Sequence, residues 1–178
     1  MGRPIVPRNT LKNNMNYAAI EDAIVARLIA KIGDSASVVA LPETQAANIR
    51  PTTKARVTVA YLGSNFDGGR YGNNVNVMAM DSVIQEETIK LTVEIEAKVL
   101  RGAGGIYELL VSVRQALIGF EPLGMDKMLL LESKFQEFKE NQWVFQLTFS
   151  TTGQVIQDWT VDTDPLITNI NFDQNFQS

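Results

Sequence analysis

The sequence predicts an α+β fold: a mainly antiparallel sheet with two helices packed on one face, plus extended N- and C-terminal arms. Three observations carry this. Two stretches repeat apolar residues at helical spacing, and several others alternate apolar and polar residues at strand spacing. Their order is helix, strands, helix, hairpin, which is not the strict strand–helix alternation of a parallel sheet.

Residues 1–15 hold Pro4, Pro7, Asn9, Asn13 and Asn14 and read as an irregular arm. From Tyr17 to Ile32, the residues Ile20, Ile24, Leu28 and Ile32 recur every fourth position, with Ala23, Val25 and Ile29 widening the stripe. That is an amphipathic helix, capped at its start by Asn14 or Asn16 and stopped by Gly33. Residues 34–53 read as a loop with one short strand at Ser37 to Leu41. Lys54 to Leu62 alternates as a strand, Ala55, Val57, Val59 and Tyr61 on one face, Arg56, Thr58 and Ala60 on the other. "GSNFDGGRYGNN", residues 63–74, reads as a long mobile connection, and "VNVMAM" beyond it as a further short strand.

Thr88 to Val99 gives the strongest strand signal. Ile89, Leu91, Val93, Ile95, Ala97 and Val99 face one way, and Lys90, Thr92, Glu94, Glu96 and Lys98 face the other, the expected wet face. The second helix runs over Ile106 to Ile118 with Ile106, Leu109, Leu110, Val113 and Leu117 inward; Gly119 caps it and Pro122 forbids continuation. Lys127 to Phe138 and Gln142 to Ser150 are two more strands, joined by the short turn "KEN" into an antiparallel hairpin. Trp143, Phe145 and Phe149 form an aromatic row expected in the core. The domain is therefore placed at 16–152, between an N-terminal arm at 1–15 and an acidic extension at 153–178.

Composition narrows the chemistry. The chain has 178 residues, 45% of them hydrophobic, enough for one real core. It has no cysteine and no histidine, which removes thiolate chemistry, the usual general base and the commonest transition-metal ligand. Carboxylate-only chemistry survives in principle. No apolar run reaches the roughly 18 residues of a membrane span, and the start lacks the apolar stretch of a secretion signal. Use inside a cell, or assembly into a particle there, is the expectation.

Net charge is −4, unevenly placed. All 16 Lys and Arg lie before residue 151, whereas 151–178 holds Asp158, Asp162, Asp164 and Asp173 and no base. Arg3, Arg8 and Lys12 make the head basic. A neutral body argues against a dedicated DNA-binding surface, which needs clustered cations.

The Gly102-Ala103-Gly104-Gly105 cluster, between a strand and a helix, has the setting of a phosphate-binding loop. The details fail: a dinucleotide fingerprint from Gly102 needs glycine at 107, which is Tyr, and no Gly-Lys-Ser/Thr follows Gly105. A structural corner is the reading it supports. "DGGRYGNN" lacks the alternating acids and closing Glu of a calcium loop. Glu94 and Glu96 share a strand face with Lys90 and Lys98, read as a solvated or partner-facing surface rather than a catalytic pair. The tail carries Val155, Ile156, Trp159, Leu166, Ile167, Ile170, Phe172 and Phe176 among its aspartates. Such a segment is expected to pack on another chain, with Trp159 and Phe172 as apolar anchors and Asp162 and Asp164 meeting a basic surface such as the Arg3, Arg8 and Lys12 arm. Arg70, Glu94 and Glu96 complete the candidate partner contacts; no catalytic, cofactor or metal residue is assigned.

At "YELLVSVRQALIGFEP", followed by "KMLLLESKFQEFKENQWVFQLTFST", the chain resembles the tail terminator (tail completion) proteins of contractile-tailed, Mu-like phages and prophages. The early "IEDAIVARL", then "ARVTVAYLGS" and "TIKLTVEIEAKV", complete a set spanning about residues 17–152. The resemblance rests on order and spacing, since no single motif is specific. It implies an α+β subunit of a hexameric homo-oligomer ring at the head-proximal end of a virion tail, assembled in the host cytoplasm. Such a ring ends tube growth, anchors the last sheath layer and joins the neck. Its partners would be tail tube, sheath and neck/connector proteins, with genomic DNA only passing through the lumen, no membrane and no cofactor. A tail tube or neck/head–tail adaptor subunit of the same kind of particle is the alternative, and a carboxylate enzyme the third class.

Overall fold

A computed structural model describes residues 16–42, 55–67, 70–71 and 83–156. Among these, two helices and six strands form an α+β fold: α1 (Tyr17–Ile32), β1 (Ala36–Ala40), β2 (Ala55–Phe66), β3 (Arg70–Tyr71), β4 (Val83–Ala97), α2 (Ile106–Leu117), β5 (Leu129–Lys139) and β6 (Gln142–Ile156). The sheet runs β1-β2-β4-β6-β5, with the two-residue β3 pairing beside β4. β1 and β2 are parallel and every other pair is antiparallel.

The helices form where the spacing predicts. Asn16 starts α1, its side-chain carbonyl accepting the Ala19 N–H, and the buried stripe is Ile20, Ile24, Leu28 and Ile32. Gly33 ends it at φ +60°, donating its N–H to Ile29. α2 buries Ile106, Leu109, Leu110, Val113, Ala116 and Leu117. Both helices lie on the sheet face built by Val57, Val59, Ile89, Leu91, Val93, Ile95, Leu147 and Phe149, all essentially inaccessible. Met125 and Met128 close this core beneath the α2–β5 connection. Arg27 ties the helices together: its Nε donates to the Ala116 carbonyl and its guanidinium stacks on Phe120.

Four sequence expectations are corrected. Residues 63–66 are not loop but continue β2, and Arg70–Tyr71 pair with β4, so much of the described part of 63–74 is strand. Pairing along β4, which runs five residues further back than Thr88, overrides the local glycine and asparagine signal. The outer face of β4 is not wet throughout: Thr92 and Glu96 are buried, because both lie mid-sheet between β2 and β6. Val99 leaves the core face, since β4 ends at Ala97; Val99 is exposed and its carbonyl receives the Ile106 N–H. Of the aromatic row only Phe149 is fully buried. Trp143 and Phe145 are half-buried, at the margin of the core beside the exposed Phe135 and Phe138. The short strand expected at "VNVMAM" lies outside the described residues, and β6 continues through 153–156.

Candidate assembly interface

β5 is the outermost strand, and no strand among the described residues joins its far side. Ten of its eleven residues are exposed, the exception being Leu130. Two bulges set what it shows. Its register against β6 skips one residue at Leu131 and another at Gln136. Each skip restores the phase of the alternation. As a result Glu132, Lys134, Glu137 and Lys139 all fall on the polar face, opposite Thr148, Gln146, Val144 and Gln142. Leu130, Ser133, Phe135 and Phe138 fall on the helix side, opposite Phe149, Leu147, Phe145 and Trp143. Without the bulges both rows would mix.

The helix-side row meets α2 at two points. Tyr107 makes an edge-on ring contact with Phe145 at 6.5 Å, and Arg114 donates to the Ser133 hydroxyl at 2.9 Å. Phe135 packs on Trp143 and Phe145, and Phe138 on Trp143, at ring-centroid distances of 4.7–6.0 Å. The result is a joined aromatic patch of Tyr107, Phe135, Phe138, Trp143 and Phe145 at the turn end of the hairpin. Phe135 and Phe138 are 50% and 52% exposed, and Val111 beside Tyr107 is 50% exposed. Monomeric proteins rarely leave so many large apolar side chains together in water. The two bulges and the charges on β5 blunt its free backbone edge against strand pairing, so the apolar row is what invites a partner.

A second cluster fixes the entry of α1. The Tyr17 hydroxyl donates to Glu87 Oε1 at 2.9 Å, and the Tyr17 ring lies 4.7 Å from Tyr61. Glu87 sits on the core face at 1% exposure, and its Oε2 has no hydrogen-bond partner. Burial, then the bond to Glu87 and that carboxylate's charge, push the Tyr17 phenol up to about 12. A bulge at Leu62 frees the Tyr61 N–H from the ladder, and Glu21 of α1 accepts it at 2.7 Å. Sequence reading missed this cluster, since Tyr17 reads only as the start of a helix and Glu87 falls outside the strand expected from Thr88.

The glycine cluster is a structural corner. Gly102 and Gly104 take positive φ, and the Gly104 N–H is held by the Glu108 carboxylate. The first N–H groups of α2 are taken as well, Ile106 by Val99 and Tyr107 by Leu100. A phosphate would find these donors occupied. Two shallow pockets, of about 190 and 200 Å³, are lined by Glu86, Gly124, Asp126, Thr152, Gly153 and Gln154 and by residues around Ala103. Among the described residues no group of three or more His, Cys, Asp or Glu could hold a metal, and no helix is long and apolar enough to cross a membrane.

Of the ten predicted contacts, three lie among the described residues. Arg3, Arg8, Lys12, Trp159, Asp162, Asp164 and Phe172 lie outside the described residues. Arg70 is in β3, pairing with Ile84. Glu94 is half-buried between Thr58 and Gln146, and Glu96 is buried between Arg56 and Val144, so Glu96 is not a solvated carboxylate. The hairpin patch was missed because Phe135 and Phe138, three apart, do not alternate as a strand row should. Only the bulge at Gln136 puts them on one face.

Fold and hairpin together define an α+β chain with a long exposed edge strand and an aromatic patch on its helix side. The chain belongs to the Gp37 protein family, whose sequence profile matches residues 24–174. Among solved structures it is similar to a chain from the virion of a native gene transfer agent particle, at 12% identity and a TM-score of 0.50, covering 80% of this chain and 99% of that one. It is also similar to the PVC sheath/tube terminator of an extracellular contractile injection system in the extended state, at 15% identity and a TM-score of 0.48, covering 93% of this chain and 65% of that one. No curated protein matches it by sequence.

Proposed function

We propose that this chain is a tail terminator subunit of a virion tail. Copies form a ring, six to the turn, at the head-proximal end, where the ring ends tube and sheath growth and meets the neck. The role is structural, and no catalysis is assigned. The observation that carries this reading is the exposed β5 edge with its aromatic patch, a surface that fits pairing with further subunits better than solvent. The family match and the fold shared with a gene transfer agent virion chain support it, as does the resemblance of residues 17–152 to tail terminators.

Two measurements test it. Native mass measurement of the pure protein, alone and mixed with tube protein, should show a closed oligomer in at least one setting; a strict monomer in both would remove the ring. Electron micrographs of particles made without the protein should show tails of uncontrolled length or tails without heads. Tails of normal length joined to heads would sink the terminator role. A tail tube subunit, the alternative, would instead repeat along the whole tail, which labelling of the protein in intact particles distinguishes.

A further inference from the structure

We infer that the aromatic patch on the hairpin receives the C-terminal segment, residues 157–178, of a second copy of this chain. The inference deepens the ring reading by naming the two surfaces that join neighbours, and it rests on that reading. The receiving surface is Phe135, Phe138, Trp143 and Phe145 with the Tyr107 and Val111 stripe of α2.

Reach argues for a second copy rather than the same one. β6 starts at the patch and carries the chain away from it, from Trp143 to Ile156. Thirteen residues of strand span about 43 Å. A segment of 22 residues following Ile156 would use more than half its length returning along its own sheet, at about 3.3 Å per residue. Trp159, Leu166 and Ile167 would then fall short of the patch. On a neighbour, the whole segment is available.

Chemistry matches on both sides. The segment supplies Trp159, Leu166, Ile170, Phe172 and Phe176 as apolar anchors, and its only charges are Asp158, Asp162, Asp164 and Asp173. Cations flank the patch on the α2 side. Arg101 lies over the Tyr107 ring at 5.9 Å, and Arg114 reaches β5 with its Nε buried and without an acceptor. A carboxylate arriving there would meet the positive charge of these two guanidiniums. Patch and segment are different surfaces, so the contact is head-to-tail, the kind that closes a ring when the rotation permits.

A photo-reactive benzophenone residue placed at position 138 of the full chain tests this, with ¹⁵N-labelled and unlabelled copies mixed before assembly and irradiation. Cross-links should join position 138 to residues 157–178 and should pair labelled with unlabelled chains. Cross-links within one chain, or none to that segment, would overturn the inference. In parallel, Phe135→Ser with Phe138→Ser should weaken self-association by about tenfold or more. Trp159→Ser with Phe172→Ser should do the same from the other side, and Leu123→Ser, an exposed residue off the patch, should change nothing. Should the patch variants fail to fold, the tail variant decides alone, and wild-type association by it refutes the inference. A ring indifferent to all these changes would refute the docking and leave the terminator role standing. A chain that never associates would remove both.

Discussion

Removing the Tyr17 hydroxyl would leave Glu87 with no hydrogen-bond donor on either oxygen, beneath the first turn of α1. Orphaning a buried carboxyl group costs about 1–3 kcal/mol, so Tyr17→Phe should lower thermal stability at neutral pH measurably. The same pair gives a pH signature. The phenol ionises near 10 in an unfolded chain and at about 12 here. The raised value favours the neutral phenol in the fold, so its contribution is complete below pH 10 and is lost as pH rises from 10 towards 12. Melting temperatures of wild type should fall more steeply across that window than those of Tyr17→Phe; parallel curves would show that the phenol is not coupled to folding. Neither residue was legible as a partner in the sequence, because 70 positions separate them and only the sheet brings them together.

The elements whose ends carry their own chemistry were the legible ones. α1 and α2 follow from apolar spacing plus a cap, and Gly119 shows why. It takes φ +78° just beyond α2, with open space where a side chain would begin, and its N–H reaches the Met128 carbonyl. Gly119→Val should therefore lose about 1–2 kcal/mol from backbone strain alone, and Gly119→Asn less. Equal melting points for Gly119→Val and wild type would contradict this. The hairpin turn was legible for a similar reason: Glu140 and Asn141 both take positive φ, as a two-residue turn between twisted strands requires. The strand interiors were less so. Nothing local in Gly63-Ser64-Asn65-Phe66 says strand; those residues extend only because Glu87 to Lys90 lie alongside. The bulges at Leu131 and Gln136 were equally hidden, since an alternation that slips twice reads as no alternation. Deleting Gln136 should remove the bulge and still leave Glu137 opposite Val144 and Phe138 opposite Trp143, so the near-ultraviolet signal of Trp143 should persist; its loss would show that Gln136 is not the unpaired residue.

At the scale of the molecule, charge and association should be linked. In the proposed contact the acidic segment and the guanidiniums beside the patch would attract through water, and raising salt from about 0.05 to 0.5 M shortens the screening length to a few ångströms. Sedimentation at the two salts should show weaker self-association at the higher one, while the apolar anchors keep part of it. Identical behaviour would mean that charge plays no part. The sheet order has a further consequence, in time rather than in space. β5 and β6 are neighbours in sequence joined by two residues, whereas β6 must find β4 across 46 residues at Trp143 and Ala97 and across 72 at Ile156 and Ile84. Nearby pairings form before distant ones. A chain leaving the ribosome can close its hairpin at once, and Phe135, Phe138 and Trp143 then face the crowded cytoplasm from the start. On the proposed ring, they would stay as open to stray partners as to the right one until a neighbouring copy covered them, so the pace of ring closure would also set how much of the newly made protein is lost to aggregation.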